Sequence, residues 1–309
     1  NETGFIPGVT VKPLQVDYAY NVQQALTAYK RFLTEGIVAL QGWGTGDTEA
    51  LTQFVAKDHI PTLSASYSAH ISDPSKSPYN FFIASDYSTQ VRAALQYFKD
   101  NWTGEEAPKL ALIYPDHPYG LAPIPAAKEY AVELGFELVG EENVELTAMD
   151  ATTQLLSLQQ VEPDFVWLGG TTASASVIMK DAAKLNMDVT FFTNIWGADE
   201  STFKLAGDAA EGHYSLQAAV TYGADVEGME IIKKVTNNEL KMTHYIRGFA
   251  SMYVMYEAIK IAAEKGEITG EAIKDALETL RDFDPMGLTP PISYFPDDHR
   301  PNMSVNIYK

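Results

Sequence analysis

Residues 37–47 read IVALQGWGTGD. The first four are apolar and follow Gly36, the pattern of a buried strand. Gly42, Gly44 and Gly46 then punctuate a turn, and Asp47 is placed to cap a helix that carries Leu51, Phe54 and Val55. Strand, tight turn and helix in direct succession form the repeating piece of an α/β fold with parallel strands.

Outward from this piece the same alternation recurs. Upstream, Val22, Leu26, Tyr29 and Leu33 fall at helical spacing, with Gly36 as a C-cap. Downstream, His59-Ile-Pro61 closes the helix and residues 62–66 read as the next strand. A helix over about 88–100 carries Val91, Leu95 and Phe98. After residues 102–108, WTGEEAP, the pattern restarts. A strand is predicted at 110–114, followed by a helical face of Ala127, Tyr130, Ala131 and Leu134 that ends at Gly135. Residues 136–144 are extended, a helix ends over 155–160, and a strand at 165–168 closes on Gly169 and Gly170. A helix over 174–185, a strand at 189–192 and an extended run over 213–220 follow. From about 228 the chain is mostly helical, with helices predicted over 245–264 and 270–280. Two such series predict two doubly wound lobes. Lobe one is expected to hold 1–88 and 220–298. Lobe two and the hinge return are expected to hold 89–219 and 299–309. In open parallel sheets ligands bind beyond the carboxyl ends of the strands. The turns at 41–47, 65–70, 115–120, 169–174 and 193–198 are therefore the candidate site.

Composition excludes several functions. The 309 residues carry 22 Lys and Arg against 41 Asp and Glu, a net charge of −19. Phosphate backbones need clustered cations, so nucleic acid is not an expected partner, nor is an anionic membrane surface. There is no cysteine, which removes disulfides, thiol catalysis and thiolate metal sites. None of the six histidines forms an H-E-x-x-H or another close ligand pair, and G-x-S-x-G is absent. His299 sits in a polar turn and reads as exposed. No enzyme, cofactor or metal is expected.

The glycine turn itself has three readings. As a dinucleotide fingerprint it fails, because the third glycine would fall on Asp47, which would repel phosphate. As a carboxylate cradle, Gly44 and Gly46 at positive φ would turn backbone N–H groups toward one point, helped by the helix N-terminus and the Thr45 hydroxyl. As a plain surface turn, it needs Asp47 only as the N-cap.

Longer stretches then fall in a recognisable order: HIPTLSAS at 59–66, YNFFIASDYSTQ at 79–90, LALIYPDHPYG at 110–120, PDFVWLGGTTASA at 163–175, KDAAKLNM at 180–187 and AGDAAEGHY at 206–214. With the ending GLTPPISYFPDDHRPNMSVNIYK at 287–309, they resemble the type I solute-binding proteins of ABC importers, the leucine/isoleucine/valine-binding family. The resemblance implies two lobes that close on a small organic molecule, a membrane permease as partner, an extracytoplasmic location and a monomer. It implies that Thr45 holds a ligand carboxylate, that Ser66, Tyr67 and Ser68 add contacts, that Tyr119 and Thr171 come from lobe two, and that Tyr245 caps the side-chain pocket.

Two departures from the family shape the expectations. Amino-acid binders place an acid after the strand that here spans 189–193, whereas this chain reads Thr193-Asn-Ile-Trp-Gly197. A buried ammonium without a counter-charge is costly. Asp86 is more readily a hinge residue than a replacement, and Arg247 could pair with a carboxylate or with a neighbouring loop. The expected ligand is thus an aromatic or other apolar carboxylate, walled by Trp43, Tyr67, Trp196 and Tyr245, with a branched-chain or other amino acid, or a ligand-sensing receptor role, as the alternative. Second, NETGFIPGVTVKPLQVDYAYN at 1–21 resembles the family segment after its first helix. The first strand and helix of lobe one, roughly 30–40 residues, are expected to lie outside these residues.

Overall fold

The computed structural model describes residues 6–309. A segment without helix or strand over 9–18 leads to Asn21, whose side chain accepts the Gln24 N–H at 3.1 Å and starts α1 (Val22–Thr34). β1 (Leu40–Gln41), α2 (Thr45–Asp58), β2 (Thr62–Leu63) and β3 (Asn80–Phe81) follow. The three strands pair in parallel in the order β1-β2-β3. The strand expected at 37–40 pairs later, over Leu40–Gln41, where Thr62 and Leu63 of β2 stand opposite. Tyr29, Leu51, Val55, Ile60 and Tyr79 form the core between these elements. Val55 is fully buried, which contributes about 1.5–3 kcal/mol by area.

The next stretch opens at Asp86, which caps α3 (Tyr87–Asn101) through the Thr89 N–H and hydroxyl, both at 2.9 Å. It continues through β4 (Lys109–Tyr114), α4 (Pro118–Leu121), α5 (Ile124–Leu134), β5 (Glu137–Asn143), α6 (Thr152–Gln159), β6 (Phe165–Leu168), α7 (Thr172–Lys184), β7 (Thr190–Thr193), α8 (Glu200–Ala206) and β8 (Tyr214–Gln217). Their sheet runs β5-β4-β6-β7-β8, all parallel, and β9 (Asn306–Tyr308) joins the β8 edge antiparallel. β4 is buried from Leu110 to Tyr114, and β6 from Val166 to Leu168. These runs are unbroken apolar because helices cover both faces of a parallel sheet. Leu155, Ile178, Phe191 and their neighbours make the core under α6 and α7.

The chain then adds α9 (Glu227–Val235), α10 (Thr243–Glu264) and α11 (Gly270–Leu277). α10 starts two residues before the predicted 245, because Glu200 receives both the N–H and the hydroxyl of Thr243 at 2.9 Å. Past α11 the chain returns to β3. The Tyr294 hydroxyl donates to the Phe82 carbonyl at 2.8 Å. His299 is fully buried, not exposed as its polar neighbours suggested. Its ring stacks on Phe81 at 4.0 Å, and its nitrogens reach the Asn80 carbonyl at 2.8 Å and Glu278 at 3.0 Å. The chain divides into two compact units. Unit one holds 1–85, 225–238 and 245–303; unit two holds 86–224, 239–244 and 304–309.

Candidate ligand-binding site

In unit one, β1 delivers the glycine turn to α2. Gly44 is the N-cap at φ −88, and Gly42, Gly44 and Gly46 all lie outside the left-handed region. The positive-φ cradle is therefore not formed. What position 44 requires is space: a Cβ there would overlap the Tyr20 ring. The helix starts at Thr45, so Asp47 is not the cap. It lies in the first turn and accepts the Gly44 N–H at 3.3 Å, a group that also reaches the Tyr18 hydroxyl at 3.3 Å. Burial raises the Asp47 carboxyl above its ordinary range, while hydrogen bonds from Tyr18 and from backbone N–H groups pull it back.

Thr45 is 1% exposed, so this is no surface turn. It ends a short relay of hydrogen bonds. The Ser68 N–H reaches Ser66 Oγ at 3.4 Å, and the Ser66 hydroxyl donates to Thr45 Oγ1 at 2.9 Å. Among the described residues the proton of Thr45 meets no acceptor, and the bonds behind it polarise the hydroxyl. The Ser68 hydroxyl instead donates to Glu49 at 3.1 Å, so its proton faces α2. Tyr67 is buried against Phe82, with ring centres 5.8 Å apart. Burial raises its hydroxyl, and Arg247, hydrogen-bonded to it, draws it back down. Arg247 is 2% exposed, and its guanidinium is hydrogen-bonded to the Tyr67 hydroxyl. Trp43 and Tyr245, by contrast, present exposed rings.

In unit two the strand order reverses direction at β4, whose neighbours are β5 and β6. The crevice beyond the carboxyl ends of β4 and β6 is the topological switch point. Tyr119 and Thr171 stand there. His117 accepts the Tyr119 N–H at 3.2 Å, and the Tyr119 hydroxyl donates to the Gly170 carbonyl at 2.6 Å. Asn194, just past β7, donates from Nδ2 to that hydroxyl and accepts the N–H groups of Trp196 (3.0 Å) and Gly197 (3.1 Å). Trp196 donates its indole N–H to the Tyr87 hydroxyl at 3.0 Å and meets the His244 ring edge-on at 5.0 Å. Thr171 is the N-cap of α7.

Sequence reasoning missed one residue of this cluster. Asp199 is buried two residues beyond the stretch inspected for an acid. It caps α8 through the N–H groups of Ser201 (2.6 Å) and Thr202 (2.9 Å), accepts from Thr172 at 2.8 Å, and lies 3.2 Å from His244 Nε2. The Asp199-x-x-Thr202 spacing was the available signal. Its oxygens are taken up by the fold. Among the described residues there is no group of three or more His, Cys, Asp or Glu that could hold a metal ion.

The Periplasmic binding protein family model matches residues 1–309, the whole chain. The chain belongs to the periplasmic binding protein family. Within that family it is 22% identical over 269 residues to a Leu/Ile/Val-binding protein homolog of Brucella suis, covering 85% of this chain and 70% of that one. Among solved structures, it matches a branched-chain amino acid ABC transporter protein of Thermus thermophilus with bound valine at a TM-score of 0.92 and 24% identity, over 99% of this chain and 84% of that one. An ABC transporter substrate-binding protein of Aeropyrum pernix is 34% identical, with a TM-score of 0.88, over 96% of this chain and 79% of that one. A fatty acid ABC transporter substrate-binding protein of Thermomonospora curvata shares the fold at a TM-score of 0.88 and 20% identity, covering 99% of this chain and 79% of that one. The protein is a type I solute-binding protein of the ABC-transporter class, whose family role is to bind a small molecule. Among the described residues no helix is long and apolar enough to cross a membrane.

Proposed function

We propose that this solute-binding protein carries an apolar, preferably aromatic, carboxylate to the membrane permease of an ABC importer, as an extracytoplasmic monomer with no catalytic step. The observation that carries the ligand class is Asn194. Where amino-acid binders keep an acid, this chain has a neutral amide whose oxygen already accepts two backbone N–H groups and whose NH₂ is turned to Tyr119. The nearby Asp199 is committed to α8, Thr172 and His244. A carboxylate needs only donors, and the proton of Thr45 backed by Ser66 supplies one, with the buried Arg247 beside the neighbouring Tyr67 hydroxyl. Trp43, Tyr67, Trp196 and Tyr245 are the proposed aromatic walls, and Ser68, Tyr119 and Thr171 the further contacts.

A second reading has its own observation. Glu49 lies 3.1 Å from the Ser68 hydroxyl and could answer an ammonium, which would keep the valine seen in the Thermus structure and other amino acids in play. Thermal-shift measurements with leucine, isoleucine, valine, phenylalanine, benzoate, hydroxybenzoates and laurate separate the readings. Stabilisation by the aromatic acids and none by the amino acids is expected. Strong stabilisation by valine or leucine alone would end the aromatic-acid proposal in favour of the second reading.

A further inference from the structure

We propose that His213 is an acid-sensitive clasp in unit two: its neutral ring supplies a rung between β7 and the start of β8, and protonation opens that end of the pair. On β7, the N–H groups of Thr190 and Asn194 bond to the Asp164 and Leu168 carbonyls on the β6 side. The alternation of a parallel ladder turns the N–H groups of Phe191 and Thr193 toward β8. β8 pairs with β7 only at Phe192↔Tyr214 and Thr193↔Ser215. One residue earlier the chain is still leaving the 3-10 turn Gly207–Ala210, with the His213 N–H 3.5 Å from the Ala210 carbonyl. The Phe191 N–H is met there by a side chain: His213 accepts it at Nδ1 over 3.2 Å. Buried backbone donors are nearly always paired, and here an imidazole stands in for a strand carbonyl.

An N–H donor needs a lone pair, so Nδ1 carries no proton. The ring's one hydrogen is then on Nε2, and it is donated to the Ala209 carbonyl. A single imidazole thus ties β7 to the turn ahead of β8, and it meets the Phe191 ring edge-on at 4.9 Å. A second proton would remove the acceptor, set two N–H groups against each other and place a charge beside Phe191, Ala209 and Ala210, which belong to the apolar core under α7. Burial makes the ring less basic than an ordinary histidine, and the bond to Ala209 opposes this only in part.

The charged groups on the surrounding elements do not offset that charge. Asp208 and Glu211 on its own turn, Asp188 ahead of β7, Lys180 on α7 and Lys204 on α8 are exposed. Glu200 of α8 is bonded to Thr243, and Asp181 of α7 to Lys184 and the Ala151 N–H. When this end of the pair frays, the ring returns to water and to the ordinary histidine value of about 6.5. Acid below that value favours the frayed state until the clasped ring itself takes the proton, so stability is lost as pH falls. Between pH 7.5 and 5.0 the frayed state gains by up to about 30-fold. β7 (Thr190–Thr193) runs on into Asn194 and Trp196, so the clasp secures the rear of the strand that carries this part of the candidate site.

The test is nuclear magnetic resonance on the 309-residue chain. At pH 7.5 a scalar coupling across the hydrogen bond is expected between the Phe191 amide nitrogen and His213 Nδ1, with slow hydrogen exchange at that amide. At pH 5.0 the coupling should vanish, and the protection of Phe191, corrected for the intrinsic exchange rate, should fall about 10–30-fold while that of Leu112 in β4 holds. His213→Asn, whose side-chain oxygen accepts but does not titrate, should protect Phe191 equally at both pH values. His213→Leu should leave it unprotected at both. Absence of the coupling at pH 7.5, equal protection of Phe191 at the two pH values in the unaltered chain, or a pH response that survives in His213→Asn would each overturn the proposal.

Discussion

Replacing Thr45 by valine tests whether the relay at the start of α2 is built as the hydrogen bonds indicate. The Ser66 hydroxyl is fully buried and donates to Thr45 Oγ1 at 2.9 Å. Thr45→Val removes that acceptor and strands a buried donor, at a cost of about 1–3 kcal/mol. For a domain of this size each kcal/mol moves Tm by roughly 2–4 °C, so a loss of about 2 kcal/mol lowers the melting point by roughly 4–8 °C. Ser66→Ala removes the donor and also the acceptor of the Ser68 N–H, costing about 1–2 kcal/mol. The double variant leaves neither group facing an empty partner, so it should be less destabilised than the two losses added, by about 1 kcal/mol. Binding follows a different order. Thr45 holds the proton offered to the ligand, so Thr45→Val should weaken the strongest stabiliser of the ligand panel by about 1–3 kcal/mol, or about 5–150-fold. Ser66→Ala acts only through Thr45 and should cost less. Urea melts of the four proteins and calorimetric titrations supply both quantities. Additive stabilities together with an unchanged Kd for Thr45→Val would refute the relay and its role.

Three further outcomes follow from the packing. Gly44→Ala should destabilise by about 1–3 kcal/mol, because its methyl meets the Tyr20 ring; adding Tyr20→Ala should recover most of that loss in a thermal melt, and failure of the rescue would point to the backbone instead. Asp47→Asn should stabilise the protein at neutral pH by about 1 kcal/mol and tighten carboxylate binding. Burial raises the folded-state Asp47 carboxyl, so its ionisation penalises the native state as pH rises through and above the unfolded value, and urea melts at pH 4 and 7 should show the gain only at the higher pH. Burial also pushes the Glu278 carboxyl up, but its bonds to His299 and Lys274 outweigh this and set it below its ordinary value. That contribution is present above the unfolded carboxylate value and is lost as pH falls through the folded one. Glu278→Gln should therefore flatten the acid limb of a stability-against-pH curve below about pH 4.5, and an unchanged limb would remove Glu278 from the acid response.

The fold was legible because its signal is local and repeated. The runs 110–114 and 165–168 are apolar throughout, and a strand covered on both faces has no other pattern. Boundaries were less legible where the deciding partner is distant in sequence. α10 begins at Thr243 because Glu200, 43 positions earlier, caps it. β1 pairs over Leu40–Gln41 and not over 37–40, because its register is set by Thr62 and Leu63, more than 20 positions later. His299 sits among Asp297, Asp298 and Arg300, the composition of an exposed turn, yet its ring is fully buried on Phe81 with a carbonyl and a carboxylate at its nitrogens. Composition reports average solvation, and a single well-matched set of acceptors overrides it.

The candidate site shows the same limit in a sharper form, because a sequence names polar residues without saying where their protons go. Thr45, Ser66 and Ser68 read alike as hydroxyl donors. In the fold the Ser66 proton goes to Thr45 and the Ser68 proton to Glu49, while among the described residues the Thr45 proton meets no acceptor. Tyr119 reads as a residue that lines lobe two, but its proton goes to the Gly170 carbonyl and its oxygen accepts from Asn194. Buried polar groups are almost always paired, so any contact a ligand makes to Ser68 or Tyr119 replaces an internal bond and gains only the difference. Among the described residues, a contact to the Thr45 proton replaces none. Selectivity in such a site depends less on how many donors face the ligand than on which of them can be engaged without breaking a bond the fold already uses, and by that measure Thr45 should dominate the carboxylate end.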